Sequence, residues 1–417
     1  MDIKKIQKNI APIGIILFFA GLIFSKVLLS ISILIIFLSV FFTHSFSEIL
    51  KEILKDKILI SFILLFAVVL LGGIYSNNTD NYLDDVVLKL PFLLLPFGLL
   101  SSEIYKKKNL IFFLLALQLF VFISGSASFI NYILHKKEFD ALIFQAKPIP
   151  IVTDINHIYF SFILAFSTIS TAIVSLCHIK NKNLKIILWI TVILNIVFLH
   201  VIAARTGLAG FYASVFALII FWGLKNKKHF LSLGFIVVIL LLAFLSLTYV
   251  DSLNNRLQKT IEDIETNKNN GDINHYSISM RFEYWEKSFK VFLKSPIIGV
   301  SKADVKEDMK IIFKKENTIL EEVNQKGPHN QFLQILAGTG ILGFLIFAFI
   351  FFYPLIKIFK TWDFIFLSFW VVMFIAFMVE SALERQWGIS FFTLLMIIFI
   401  RSDKLLNDES KNYNEQQ

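Results

Sequence analysis

Gly327-Pro328-His329-Asn330-Gln331-Phe332-Leu333-Gln334 joins a polar segment, residues 250–330, to an apolar run at 331–356. The run is long enough to cross the ~30 Å hydrocarbon layer of a bilayer as a helix. His329 stands directly before it and would lie at the mouth of that helix, where water meets lipid. The junction therefore predicts a membrane-spanning chain with one large extramembrane loop.

The composition is also typical of a membrane protein. Of the 417 residues, 56% are hydrophobic and only 17% are charged, and the mean hydropathy is +0.72. A soluble domain needs more polar surface than this. The apolar residues form continuous runs rather than an alternating pattern, which favours membrane helices over a β-barrel. The single Cys177 allows no intramolecular disulfide and is no metal site by itself.

The apolar runs predict an all-α polytopic membrane protein with about twelve transmembrane helices. Approximate limits are 10–25, 27–43, 57–75, 86–101, 109–132, 155–178, 184–203, 206–223, 229–249, 331–356, 362–380 and 388–401. The run at 86–101 is among the weakest, because it contains Lys89, Pro91 and Pro96. The predicted division is an N-terminal bundle (1–249), the large loop (250–330), the C-terminal helices (331–401) and a tail (402–417).

The net charge of +9 reflects membrane topology rather than nucleic-acid binding. Basic residues cluster at alternate connections between the spans, whereas the connection 76–85 has none. Because cytoplasmic loops carry such an excess, both termini are predicted to be cytoplasmic and the 250–330 loop to lie outside. The clusters are Lys4, Lys5, Lys8; Lys51, Lys55, Lys57; Lys106, Lys107, Lys108; Lys180, Lys182, Lys185; Lys225, Lys227, Lys228; Lys357, Lys360; and Arg401, Lys404, Lys411.

Within the large loop, residues 251–275 are polar, and 267–272 are predicted to be flexible. Residues 280–294 have apolar side chains near helical spacing and predict an amphipathic helix that lies on the membrane or packs on the bundle. A second loop helix is predicted at 303–323. The apolar positions of the two helices are Phe282, Trp285, Phe289, Phe292 and Leu293, then Val305, Met309, Ile312 and Phe313.

Three ionisable side chains fall at the predicted outer face: His329, Arg281 in the loop, and Arg205 between two spans. A neutral imidazole is a natural general base near pH 7. Two guanidinium groups can bind the oxygens of a pyrophosphate without a metal and stabilise the charge as it leaves. The three residues together predict a site for an anionic lipid-linked substrate. The alternatives are a helix-capping or headgroup-binding His329, a solvated Arg281 and a snorkelling Arg205.

Other polar residues at the same face are weaker candidates. Asp154 and His157 could bind a sugar hydroxyl, but a polar helix start capped by Asp154 is the simpler interpretation. Asp84 and Asp85 are better explained as a solvated loop than as a metal site, since no His or further carboxylate is near in sequence. The remaining group consists of Glu380, Glu384 and Arg385, for which we predict a structural Glu–Arg pair or a role in acceptor binding.

The sequence also resembles a known family. Residues 328–334 followed by Gly338, Gly340 and Gly343 resemble the motif of the O-antigen ligase and O-antigen polymerase superfamily, where it closes the large periplasmic loop. Ala204-Arg205-Thr206-Gly207 is similar to the family's arginine-bearing motif, and Arg281-Phe282-Glu283-Tyr284-Trp285 with Pro296 and Gly299 is similar to its loop segment. Order and spacing agree over roughly 190–400.

The resemblance implies a GT-C-like glycosyltransferase of the bacterial inner membrane. It implies transfer of a glycan from an undecaprenyl-pyrophosphate carrier to lipid A–core or another glycan acceptor, on the periplasmic side, with inversion and without a metal or other cofactor. By the same analogy, Arg205 and Arg281 bind the donor pyrophosphate, and His329 is the base or orients the acceptor hydroxyl. Asn330 and Tyr284 would support the site or the acceptor.

Several functions remain open at this stage. Within the superfamily, an O-antigen or exopolysaccharide polymerase and a protein O-oligosaccharyltransferase share the motif. A transporter or flippase would also have many spans, but it should show an inverted repeat and charged or broken helices near mid-membrane. A non-catalytic assembly component is a further alternative. We expect an O-antigen ligase.

Overall fold

The computed structural model describes residues 3–144, 149–202, 205–249, 251–268, 271–274 and 276–402, and every regular element in these ranges is helical. The N-terminal half contains α1 Ile3–Phe24, α2 Lys26–Ser39, α3 Phe46–Lys55, α4 Lys57–Leu71, α5 Thr79–Lys89, α6 Pro91–Gly98, α7 Lys107–Leu134, α8 Lys136–Phe144, α9 His157–Cys177 and α10 Lys182–Ile202. The C-terminal half contains α11 Arg205–Asn226, α12 His229–Tyr249, α13 Asp251–Lys268, α14 Ser277–Lys294, α15 Val305–Lys315, α16 Gln331–Phe352, α17 Pro354–Thr361, α18 Phe364–Val379 and α19 Gln386–Arg401. Short 3-10 helices lie at Val40–Phe42, Gly72–Ile74, Ser102–Tyr105, Glu322–Asn324 and Ala382–Glu384.

Six helical segments of the described chain are long and apolar enough to cross a membrane: Lys57–Ile74, Lys107–Leu134, His157–Cys177, Lys182–Val201, Thr206–Asn226 and Gln331–Thr361. The pair Lys26–Phe42 and Phe46–Lys55 would add a seventh, although its two helices meet at 111°. Four shorter apolar helices are Asn9–Phe24, His229–Leu241, Phe364–Val379 and Gln386–Arg401. These helices are compatible with a polytopic membrane protein, and the count of twelve spans stays a prediction.

The predicted span at 86–101 is not one helix. Lys89 ends α5, and Pro91 begins α6, which stops at Gly98. Proline has no backbone N–H to donate, which is no loss at the first turn of a helix, where Pro91 lies; Pro96 lies inside the short α6. The Lys89 side chain is buried, only 4% exposed, because it takes part in an ion pair described below. The stretch predicted as one span is therefore two consecutive helices, and its charged residue, Lys89, is paired within the protein.

The helices α9 and α19 form the centre of the bundle. All residues of α19 from Trp387 to Phe399 are buried. Phenylalanine rings fill the space between α9, α18 and α19; the ring of Phe166 lies 5.5 Å from that of Phe369 and 5.9 Å from that of Phe391. At one end of this core the start of α16, the end of α18 and the start of α19 come together, and that end carries the candidate site.

The segment between α12 and α16 differs in part from the prediction. Residues 251–268, predicted to be a polar stretch, form the helix α13. Of the residues predicted to be flexible, 267–272, residues 269–270 lie outside the described part of the chain. The helix predicted at 280–294 is present as α14, and whether its apolar face lies on a membrane or on the bundle stays a prediction. Tyr284, Ser288 and Val291 are buried, whereas Phe282, Phe289 and Leu293 are exposed.

The second loop helix, α15, is shorter than the predicted range 303–323 and ends at Lys315. Its predicted apolar positions are buried: Val305, Met309, Ile312 and Phe313. They pack with Tyr284 and Val291 of α14, so α14 and α15 share a small hydrophobic core of their own.

A backbone connection fixes this loop core to α16. The helix is broken at Gly340, whose φ is 61°, in the left-handed region that glycine adopts without strain. The break frees backbone groups, and the chain after α14 binds them: Ile341 N donates to the Pro296 carbonyl at 2.9 Å, and Val300 N donates to the Ala337 carbonyl at 3.0 Å. The loop that carries Arg281 is thereby attached to the helix that follows His329.

Candidate active site

His329 lies immediately before α16 in a turn that holds its position. Its φ is +46°, which is uncommon for a residue with a Cβ and signals backbone strain. The next residue, Asn330, caps the helix: its side-chain oxygen accepts from Leu333 N at 3.1 Å, and its Nδ2 donates to the Met378 carbonyl at 3.2 Å. Asn330 therefore fixes the start of α16 against the end of α18 and supports the site rather than facing a substrate.

The imidazole of His329 is paired with a carboxylate. Its Nδ1 lies 3.1 Å from Oε2 of Glu380, which follows α18. Burial acts to raise the pKa of the Glu380 carboxyl, but the hydrogen-bonding contact with His329 and the charge of Arg281 outweigh this and lower the pKa below its ordinary value. An ionised Glu380 accepts the Nδ1 proton, and a histidine bound in this way presents Nε2 as its acceptor.

Tyr284 supports the same ring from the loop. The two ring centroids lie 5.6 Å apart at an interplanar angle of 31°, and the tyrosine is only 3% exposed. Its hydroxyl donates to the carbonyl of Asn324. Burial raises the pKa of Tyr284 to about 12, although the charge of Arg281 acts to lower it, so the hydroxyl stays a neutral donor. The tilted ring contact with Tyr284 and the hydrogen bond with Glu380 together hold the His329 ring in place.

Arg281 lies one turn before Tyr284 on α14 and is half-buried. Burial lowers the pKa of its guanidinium and the negative charge of Glu380 raises it, but arginine stays protonated at any physiological pH. In the part of the chain that the structure describes, no carboxylate oxygen lies within 4.0 Å of its nitrogens. Arg281 is therefore a cation beside the His329–Glu380 pair that has its hydrogen-bonding capacity available for an anion.

Arg205 is the first residue of α11, but its side chain and residues 203–204 lie outside the described residues. Two residues on, Gly207 packs so closely on α9 that a Cβ there would lie 2.3 Å from the Cβ of Ser161. This contact holds the start of α11 against α9. The role predicted for Arg205 stays a prediction.

A polar cavity of about 830 Å³ opens beside His329 and Glu380. Its size is within the range that accepts a sizeable organic ligand. It is lined by Asn81, Asp84, Asp85, Lys302, Ala303, Lys306, Glu307, Lys310, Glu322, Val323, Gln325, Lys326, Gly327, His329, Gln334, Glu380, Ser381, Glu384 and Arg385. Arg281 is not among these residues, so the His329–Glu380 pair faces the cavity while Arg281 lies beside the pair.

A cluster of four charged side chains lies at one side of this cavity; Asp85, Lys302 and Glu384 are partly buried and line it, whereas Lys89 is buried and does not line it. Glu384 Oε2 lies 3.0 Å from Lys89 Nζ and 3.1 Å from Lys302 Nζ, and Lys302 also reaches Asp85 at 2.8 Å. Burial acts to raise the pKa of Glu384, but the two lysines outweigh it and lower the pKa to about 2. Gln331 joins this cluster to α16, since its Nε2 donates to Glu384 at 3.3 Å and its oxygen accepts from Leu383 N at 2.7 Å.

The structure corrects three predictions about the weaker candidates. Asp154 does not cap α9, since the helix starts at His157 and the oxygen of Asn156 accepts from Ile158 N at 2.9 Å. Asp84 and Asp85 lie on α5 rather than in a loop, because α5 already begins at Thr79 after the cap Asn78.

The third correction concerns the expected Glu–Arg pair. Glu380 pairs with His329 and Glu384 pairs with two lysines, while neither is paired with Arg385 in the described chain. Arg385 and Glu380 do line the cavity beside His329, whereas His157 and Asp154 do not.

Lys89, Lys302 and Gln331 are site residues that the sequence analysis did not select. Lys89 did give a signal, because a lysine inside an apolar run is costly and is usually retained for a partner. Lys302 lies in a loop with many lysines and gives no such signal. Among the described residues, no group of three or more His, Cys, Asp or Glu side chains could hold a metal ion.

Comparison with known proteins gives one match. Residues 190–348 match a family model described as O-Antigen ligase, and this segment runs from α10 to α16, including Arg205, Arg281 and His329. No curated protein matches the chain.

Proposed function

We propose that this chain, whose residues 190–348 match a family model described as O-Antigen ligase, transfers a glycan from a polyprenyl-pyrophosphate carrier to a hydroxyl of a lipid A–core acceptor. The observation that carries the proposal is the His329–Glu380 pair, 3.1 Å between Nδ1 and Oε2, which faces a cavity of about 830 Å³ with Arg281 beside it. A base, an oriented carboxylate and a cation are the groups that glycosyl transfer from a pyrophosphate needs.

The proposed reaction is a displacement at the anomeric carbon of the donor. The acceptor oxygen forms the new glycosidic bond while the bond from the anomeric carbon to the pyrophosphate oxygen breaks. The acceptor hydroxyl proton passes to Nε2 of His329, and the electron pair of the broken bond leaves on the polyprenyl pyrophosphate. Attack from the face opposite the leaving group inverts the anomeric centre.

Glu380 makes His329 an effective base in two ways. It accepts the Nδ1 proton and so keeps the imidazole in the tautomer whose Nε2 can accept. It also stabilises the imidazolium that forms when the proton arrives, as an ionised carboxylate does in other histidine pairs. Tyr284 and Asn330 contribute by holding the ring and the helix start in place.

Arg281 stabilises the departing pyrophosphate. Its planar fork matches two phosphate oxygens, and its charge opposes the negative charge that grows as the bond breaks. Arg205, which starts α11 in the matched segment, is proposed as the second arm of this clamp. With two arginines neutralising the pyrophosphate, we propose that no divalent metal is required.

We further propose that the active site faces the periplasm and that the chain resides in the bacterial inner membrane with both termini in the cytoplasm. The alternating basic clusters support this orientation. An O-antigen or exopolysaccharide polymerase of the same superfamily would use the same donor chemistry with another lipid-linked glycan as acceptor.

The lipopolysaccharide profile of a deletion strain tests the ligase assignment. A ligase predicts loss of polymer-capped lipopolysaccharide and accumulation of carrier-linked polymer. Lipopolysaccharide capped with a single repeat unit would instead identify a polymerase. In a purified assay with lipid-linked donor, transfer should also continue in EDTA; loss restored by Mg²⁺ would contradict the metal-independent reaction.

A further inference from the structure

A second cavity, of about 590 Å³, adjoins the polar cavity beside His329. Asp84, Asp85, Glu384 and Arg385 line both, so one elongated ligand can occupy the two together. We call the second cavity the α2–α6 groove. The other residues that line it are Lys26, Ser30, Ile33, Leu34, Val87, Leu88, Leu90, Pro91, Leu94, Gln386 and Trp387.

The α2–α6 groove has an apolar part and a cationic part. Ile33 and Leu34 of α2 line it together with Leu94 of α6, and Leu34 is 48% exposed. Lys26 and Arg385 supply positive charge, and in the described chain neither has a carboxylate oxygen within 4.0 Å. Three acidic side chains also line the groove: Asp85 and Glu384 are neutralised by Lys302 and Lys89, and Asp84 is the third. A surface of this kind suits an amphipathic lipid with an anionic headgroup.

The cationic part of the groove is built by contacts between α2 and the start of α19. Gln386 Nε2 donates to Ser30 Oγ at 2.7 Å and to the Lys26 carbonyl at 3.3 Å. The Lys26 ammonium lies 4.5 Å from the ring centroid of Trp387, within cation–π range. These contacts hold Lys26 next to the segment that carries Arg385.

The position of the groove assigns it to the acceptor rather than to the donor. Arg281, the proposed pyrophosphate ligand, lines neither cavity. His329 and Glu380, which must meet the acceptor hydroxyl, line the polar cavity that the groove extends. A ligand with its apolar chains in the groove and its sugars in the polar cavity would bring a hydroxyl to His329.

We propose that the α2–α6 groove binds the lipid anchor of the acceptor, with an anionic headgroup beside Lys26 and Arg385. The inference rests on the proposed function and assigns the lipid anchor of its acceptor to this groove.

Filling the groove tests the proposal. Leu34→Trp and Leu94→Trp place a large ring in it, whereas Leu38→Trp is a matched control on α2, because Leu38 is 54% exposed and does not line the groove. Transfer is measured with intact lipid A–core and with the same molecule after chemical deacylation. Loss of two buried methylene groups is enough for about a tenfold effect, so KM for the intact acceptor should rise about tenfold or more. With the deacylated acceptor, the two variants should match wild type.

Equal effects on both acceptors, or a rise in KM for the donor instead, would overturn the assignment. Binding of intact lipid A–core to the detergent-solubilised protein without donor is a second measurement that needs no turnover. Leu34→Trp should weaken this binding about tenfold relative to Leu38→Trp, and unchanged binding would overturn the inference. Failure of wild-type transfer with retained, groove-dependent binding would count against the proposed reaction and not against the lipid site.

Discussion

The chemistry at the residue scale depends on how a few side chains are held. His329 contacts Glu380, Tyr284 and the strained turn before α16, so its ring cannot rotate without the loss of a hydrogen bond or a ring contact. Arg281 is held less tightly, as expected of a group that binds a ligand charge. Separate predictions therefore follow for Arg281 and for the ion pairs of Glu384.

Arg281→Lys should lose much of the transfer activity while the protein stays folded. A lysine keeps the charge but offers a single ammonium in place of a bidentate fork. We expect a fall of about tenfold or more in kcat/KM for the donor, from the loss of one charge-assisted hydrogen bond. Arg401→Lys is the matched control. Arg401 is the last residue of α19, whose start lies at the candidate site, so this variant should keep wild-type transfer. Wild-type turnover by Arg281→Lys would show that the Arg281 guanidinium does not bind the pyrophosphate.

Glu384 should make the folded protein acid-sensitive. Its pKa in the folded protein, about 2, is lowered from the ordinary value of 4.5, so its ionisation stabilises the folded state above pH 4.5, and this stabilisation is lost as the pH falls toward about 2. Glu384→Gln should lower the melting temperature at neutral pH and flatten its decrease in acid. Melting curves in detergent across this range check the prediction; a variant as stable and as acid-sensitive as wild type would refute it.

Sequence reasoning identified His329, Arg281 and Tyr284 but not their pairing. His329 and Glu380 are 51 positions apart and belong to different elements, so local spacing holds no information on their contact. Arg385 was the nearer candidate partner for Glu380 in sequence, yet the carboxylate faces the histidine. Which side chains form a buried ion pair depends on how the helices pack, and the spacing of residues within a motif does not predict that packing.

At the scale of elements, the central feature is the break in α16. Gly340 interrupts the helix, and the chain at 296–300 binds the freed backbone groups, so loop and helix form one unit. Since α14 carries Arg281 and α16 follows His329, this connection sets the separation of the two groups.

Gly340→Ala should therefore destabilise the protein. An added Cβ would lie 2.3 Å from the Ile297 carbonyl oxygen, and alanine is strained at a φ of 61°. We expect a loss of about 1–3 kcal/mol or more, together with reduced transfer. Gly234→Ala is a matched control in α12, where no atom lies within 4 Å of an added Cβ. Equal melting temperatures for the two variants would refute the proposed role of the break.

Long apolar helices were predictable at this scale, because their composition alone fixes their type. The face of α14 that is buried inside the protein was not, since Tyr284 and Ser288 are buried while Phe282 and Phe289 are exposed. The polar helix α13 was also missed, although Leu253, Leu257, Ile261 and Ile264 recur at helical spacing within Asp251–Lys268.

At the scale of the whole molecule, the proposed reaction requires the site to face away from the cytoplasm. The basic clusters predict cytoplasmic reporter signals from fusions after residues 56, 108, 182, 227 and 411, and a periplasmic signal from a fusion near residue 270. Alkaline phosphatase and green fluorescent protein fusions at these positions report the two sides. A cytoplasmic signal near residue 270 would reverse the orientation and separate the site from a periplasmic donor.

The central claim is that His329 takes the proton of the acceptor hydroxyl. The most direct test is the rate of glycan transfer by purified His329→Ala protein with a lipid-linked donor and lipid A–core, with His135→Ala, an exposed residue at the end of α7, as control. We expect the transfer rate of His329→Ala to fall by about 10²–10⁴-fold, the usual contribution of general acid–base catalysis. Its melting profile should be unchanged, and His135→Ala should transfer at the wild-type rate. Transfer by folded His329→Ala at the wild-type rate would show that His329 is not the base and is only a polar residue at a helix start.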